Sequence, residues 1–163
     1  MESNIKLSSV YKFDCYRGDK LVWTETKENL VVDTGLELAM DCIFGEVDTP
    51  TFYVGLIGNN SDIYPEDTAS SHSFEEFLGT ISNSRPIANF VKGDYVGHTF
   101  TYVSENSQFM IGGAGTIYGA FLITEGTKGS NMGVLYGASI MGGSKPVMPG
   151  DALLVTITVS AQG

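Results

Sequence analysis

Apolar and polar positions alternate along the start of the chain. Ile5 and Leu7, then Val10, Tyr11, Phe13 and Cys15, set an imperfect period of two, which puts one face of a β-strand against a core and the other in water. Arg17-Gly18-Asp19-Lys20 interrupts the pattern and Leu21-Val22-Trp23 resumes it. The pair reads as a β-hairpin that turns at Gly18-Asp19. The Arg-Gly-Asp triplet is accordingly read as turn chemistry rather than as an adhesion motif.

Only residues 33–44 carry a convincing helical period. Leu36, Ala39, Met40, Ile43 and Phe44 recur at helical spacing. Asp33 or Thr34 can serve as N-cap, with Glu37 three residues after Thr34 as a capping box requires, and Gly45 supplies the stop. The spacing predicts a helix of about three turns that covers one face or end of a sheet.

Short apolar blocks follow. Thr51–Ile57 is continuous and bounded by Pro50 and Gly58-Asn59-Asn60, the mark of a strand buried on both faces. Residues 58–84 form the longest polar stretch, in which 73–78 is expected to make one helical turn with Phe74, Phe77 and Leu78 inward. Residues 86–91 read as a strand, Gly93-Asp94 as a turn, and 98–103 as an alternating strand with His98, Phe100 and Tyr102 on one face. The short strand 108–111 is broken by Gly112-Gly113-Ala114-Gly115. Three final strands lie within 115–124, 132–141 and 152–160, joined by turn-rich connectors at 126–131 and 142–151. About nine strands and one helix, with no repeat at a fixed period, predict an all-β chain: a single jelly-roll-like β-sandwich domain over 1–163 with one short α-helix.

Composition agrees with that architecture. A chain of 163 residues, 42% hydrophobic and only 17% charged, with 20 glycines, suits one core and many turns. The net charge of −10 changes the functional picture. The nine Lys and Arg are scattered, so neither a phosphate backbone nor an anionic lipid surface is an expected partner, while the acidity could complement a basic surface on a partner protein. Cys15 and Cys42 read as small apolar side chains, with a disulfide left open. Met1-Glu-Ser-Asn-Ile-Lys lacks the pattern of a signal peptide and no stretch approaches a membrane span, so assembly in a reducing cytoplasm is expected.

Each candidate for chemistry has a plainer reading. Gly113-Ala-Gly115 leads into a strand and not a helix, so it offers no phosphate cradle. His72 has Ser71, Ser73 and Glu75 beside it, but triad members come from separate parts of a fold and no Gly-x-Ser-x-Gly elbow is present. His98 reads as a satisfied strand residue. Two Cys and two His at unpatterned positions make no zinc site. Asn59, Asn60, Asp62, Glu66 and Asp67 could donate oxygens to calcium yet lack its loop spacing. Glu75 and Glu76 are neighbours and do not flank a sugar. Trp23, Tyr11, Tyr53, Tyr64, Tyr95 and Tyr118 read as packing aromatics, with a sugar-stacking platform as the alternative.

Asn29–Leu36, Thr51–Ile57, Gly119–Ile123 with Thr127-Lys-Gly129, and Pro149-Gly-Asp151 before a terminal strand give the chain after residue 29 an order of segments that resembles small virion proteins of tailed bacteriophages. The resemblance implies a structural part of the particle with no catalytic residues and no cofactor. It points first to a capsid cement or decoration protein that binds the major capsid protein and copies of itself, as dimer or trimer, on the capsid surface. A tail or fibre component that binds a host receptor or glycan is the alternative, and a small hydrolase using His72 a third. For the first role, residues 1–10 would serve as an extended arm, with Ile5, Leu7, Tyr64, Met132 and Met141 as the apolar partner-binding groups. The glycines at 112–115 and 142–144 would let another backbone approach.

Overall fold

A computed structural model describes residues 4–163. In chain order its elements are β1 (Lys6–Arg17), β2 (Lys20–Glu28), β3 (Leu30–Val31), α1 (Asp33–Ile43), β4 (Tyr53–Ile57), β5 (Phe90–Val96), β6 (Thr99–Ser104), β7 (Ser107–Met110), β8 (Gly115–Ile123), β9 (Leu135–Val147) and β10 (Ala152–Gln162). They form two antiparallel sheets. The larger has the order β2-β1-β10-β6-β5, with β7 also paired to β10, and the smaller has β3-β9-β8-β4. The chain passes from one sheet to the other at β2–β3, β4–β5, β7–β8 and β9–β10. This is the all-β sandwich with one short helix that the sequence predicts.

The two kinds of apolar pattern sort the strands between the sheets. In β1 and β10 the alternate residues Tyr11, Phe13, Cys15, Leu153, Val155 and Ile157 are fully buried against the smaller sheet, and their neighbours face outward. The continuous blocks in β4 and β8 belong to the smaller sheet, which is buried on both faces. Val54, Leu56, Ala120 and Leu122 enter the core between the sheets. Ile57, Phe121 and Ile123 enter a second core on the other face, roofed by Ala69 and Phe74 from the long polar stretch. Trp23 Nε1, donating to the Pro146 carbonyl at 3.1 Å, ties β2 to β9 and closes one side of the sandwich.

The hairpin turn falls at Gly18-Asp19, where Gly18 takes φ +59°. Arg17 of the triplet is bonded to Asp151 instead of standing free. Residues 6–10, expected in an arm, belong to β1 and pair with β10 from Lys6↔Gln162 onward. The first residues of that arm, 1–3, lie outside the described residues.

Four expectations shift. Residues 73–78 are extended, not helical: Ile57 bridges Glu76 and Phe77 N donates to the Leu56 carbonyl, so β4 pairing outcompetes a helical turn. Phe74 is buried there but Leu78 points outward. Gly93-Asp94 does not reverse the chain. It forms a bulge within β5, and the turn lies at Gly97-His98, both with positive φ. His98 therefore sits on a turn and not on a strand face. Strand β9 runs on through the expected connector at 142–147, absorbing 141–144 as a register shift opposite Tyr118.

The helix forms where expected, with a different start and the opposite face inward. Val32 is its N-cap residue, and the Thr34 hydroxyl donates to the Leu135 carbonyl at 2.7 Å instead of capping. Gly35 packs against the Tyr136 carbonyl so closely that a Cβ would collide with it. That contact sets the helix orientation. Of the stripe expected to cover the sheet, Ala39 is partly buried, whereas Leu36, Met40, Ile43 and Phe44 are 40%, 52%, 71% and 73% exposed.

Candidate interaction surface

The larger sheet outruns the core. Because Tyr11 and Ile157 point inward, Leu7, Val159 and Ala161 share their face by strand alternation. The register then aligns Leu7 with Ala161, Ala161 with Phe100, and Phe100 with Tyr95. A second row runs Ser9, Val159, Tyr102, Lys92. Val159 still packs on the core; Phe100, Tyr102 and Tyr95 lie beyond it and are about half exposed. The Tyr95 and Phe100 rings stack at 4.4 Å. The result is a core-type surface without a core upon it.

A groove of about 490 Å³ continues this surface between the sheets. Its walls include Phe52, Ile87, Phe90, Tyr102, Tyr136 and Val159. Phe52 meets the rings of Phe90 and Tyr136 edge-on at 6.2 and 5.8 Å. Burial pushes the Tyr136 phenol above its usual range, so it remains neutral. Such a groove can receive an apolar side chain or an aromatic ring.

The partner-binding residues expected from sequence fall in different places. Ile5 is exposed just before β1 and Leu7 heads the first row of the platform, so these two lie together. Tyr64 is half exposed in the long loop, where its backbone N–H donates to Asp67. Met132 is exposed in the β8–β9 loop. Met141 is a correction: it is 5% exposed and packed in the main core, because the register shift at 141–144 turns it inward. The sequence shows Phe100 and Tyr102 as strand aromatics and Tyr95 as a packing or sugar-stacking aromatic; what places the three together at an interface is the cross-strand register, which no local pattern carries.

The other candidates are tied into the framework. His72 stacks on Phe74 at 3.7 Å, and the Ser73 hydroxyl donates to the Asp62 carbonyl. Asn59, read as a solvated turn residue, accepts from Glu75 N and donates to the Ser73 carbonyl, pinning its loop. Glu76 pairs with buried Arg85 through two hydrogen bonds of 3.0 and 2.8 Å. Gly112 and Gly113 N–H groups both donate to the Gly79 carbonyl. Cys15 and Cys42 are free thiols. Among the described residues no three His, Cys, Asp or Glu converge as a metal set, and no helix is long and apolar enough to cross a membrane.

No family model matches the chain, and no curated protein and no solved structure matches it either.

Proposed function

We propose that the protein is a non-enzymatic structural component of a bacteriophage virion, a cement or decoration protein that binds the assembled major capsid lattice and stabilises it. The observation that carries this reading is the exposed aromatic platform of Phe100, Tyr95 and Tyr102, bordered by half-buried Leu7 and Ala161, with its adjoining groove. Contiguous exposed apolar surface on a rigid sheet is the signature of a protein–protein contact. Aromatic side chains on a strand scaffold lose little entropy when covered, which suits an anchor.

The clustering of these aromatics favours a second reading, a tail or fibre module that stacks on a host glycan. The groove walls weigh against it. Sugar recognition needs several convergent polar groups beside the rings, and here Thr49, Thr51 and Asn89 are outnumbered by Pro50, Ile87, Ala88, Leu122 and Val159.

The two readings separate by sedimentation. Wild type is expected to pellet with purified capsids and to raise their melting temperature, and the Phe100→Ser, Tyr102→Ser variant is expected to stay in the supernatant. Adhesion to host cells without capsid binding would replace the first reading by the second.

A further inference from the structure

The charge of this chain is segregated. Residues 28–84 contain 11 of its 19 Asp and Glu and none of its nine Lys and Arg, so the rest of the molecule is close to neutral. Helix α1 lies in this acidic segment. Asp33, Glu37 and Asp41 follow one another at four-residue spacing and form a carboxylate row along it. Beside that row runs the outward apolar stripe of Leu36, Met40, Ile43 and Phe44, extended by Val47. Like charges four apart destabilise a helix, and an apolar stripe normally faces a core. Both features are unfavourable in the isolated protein, and both would be relieved by the same occupant.

We propose that α1 docks a basic, amphipathic segment of a partner protein, with apolar side chains on the stripe and Lys or Arg on the carboxylate row. A cleft of about 220 Å³ fits one such cation: Leu38, Val47, Ala69 and Val134 line it, and so do Glu37 and Asp41. An Arg or Lys stem lies along the apolar walls while its head group meets the two carboxylates. Charge decides against the other occupants. A second copy would set carboxylates against carboxylates with no Lys or Arg in the segment to offset them, and an anionic membrane would be repelled. The inference rests on the reading that the protein binds another protein, and it adds a second contact surface with a defined chemistry.

The test uses the full chain, a synthetic amphipathic Lys/Leu peptide and a Glu/Leu peptide of the same pattern. The Lys/Leu peptide is expected to shift the amide resonances of residues 33–48, and to bind more weakly as salt rises. Ile43→Ser with Phe44→Ser is expected to weaken it by at least about tenfold with an unchanged melting curve. Glu37→Lys with Asp41→Lys is expected to transfer preference to the Glu/Leu peptide. Unmoved α1 resonances, or equal binding by wild type and both variants, would overturn the proposal. So would dimerisation of the wild type abolished by the Ile43, Phe44 substitutions, which assigns the stripe to a second copy. Capsid sedimentation is scored separately: peptide binding without capsid binding ends the cement reading alone, and capsid binding without peptide binding ends this one alone.

Discussion

Arg17 and Asp151 close the sandwich at the end opposite α1. The Arg17 guanidinium donates through Nε and Nη2 to the two carboxylate oxygens of Asp151, at 2.8 and 2.9 Å. The residues sit in β1 and just before β10, so the pair locks the hairpin turn to the start of the last strand. Asp151 also accepts from Met148 N, and its side chain is fully buried. Arg17 is half exposed, which leaves the carboxylate as the group that depends on the pairing.

The pH dependence follows from that asymmetry. The Arg17 bonds, with help from Met148 N, hold the Asp151 carboxyl below the usual carboxylate range. A depressed folded-state pKa contributes stability that is present above the unfolded carboxylate value and lost as pH falls through the folded one. Wild type is therefore expected to lose stability in the acid range below pH ~4, the ordinary carboxylate region. Asp151→Asn should be less stable at neutral pH and should show a shallower acid loss. Denaturant melts at neutral and acid pH check this, and parallel curves for the two proteins would refute it.

Cys15 lies beside Asp151, and burial, followed by the negative charge of Asp151, pushes its thiol up to about 11. Cys42 is only partly buried on α1. In the native protein at mildly alkaline pH, a thiol reagent is expected to label Cys42 and leave Cys15 until the chain unfolds. Peptide mapping after labelling with and without denaturant reads this directly.

Arg85 is the most committed cation of the molecule. It gives two bonds to Glu76, one each to the Glu125 and Ser130 carbonyls, and lies 5.1 Å over the Phe121 ring. With side chains only 3% and 11% exposed, neither partner can regain water if the other is removed. Glu76→Ala is expected to cost about 3–5 kcal/mol, the range for breaking a buried pair. Joint replacement by Arg85→Met and Glu76→Leu should recover much of that loss. Chemical denaturation of the single and double variants measures the difference.

The fold was legible wherever a residue's partner could be read from period alone. Alternation in β1 and continuity in 51–57 named a half-buried and a fully buried strand, and Gly18-Asp19 named the hairpin. Long-range competition accounts for the misses. Nothing near Glu76 announces that Arg85 will hold it while β4 draws 75–77 into extended pairing. The helical period is visible in the sequence and the orientation of the helix is not, because the packing of Gly35 on Tyr136 is a contact between distant segments. The platform is hidden in the sequence for the same reason. Phe100 and Tyr95 face inward by register, and only the relative length of two sheets leaves them uncovered.

That contact at Gly35 gives the last expectation. With its Cβ position occupied by the Tyr136 backbone, Gly35→Ala must push α1 away from β9. Overpacking of this kind costs about 1–3 kcal/mol. The displacement also tilts the acidic row and the apolar stripe, since both are fixed to the sheet through this helix and through the Thr34 bond to Leu135. The platform of Phe100 and Tyr102 lies on the other sheet and should keep its shape. Gly35→Ala is thus expected to weaken Lys/Leu peptide binding while the amide spectrum of β5 and β6 is unchanged. Thr34→Val, which removes the hydroxyl bond but adds no bulk against Tyr136, should have a smaller effect on both stability and binding. A Gly35→Ala protein with wild-type stability and an unshifted α1 spectrum would show that the helix is not seated on Tyr136.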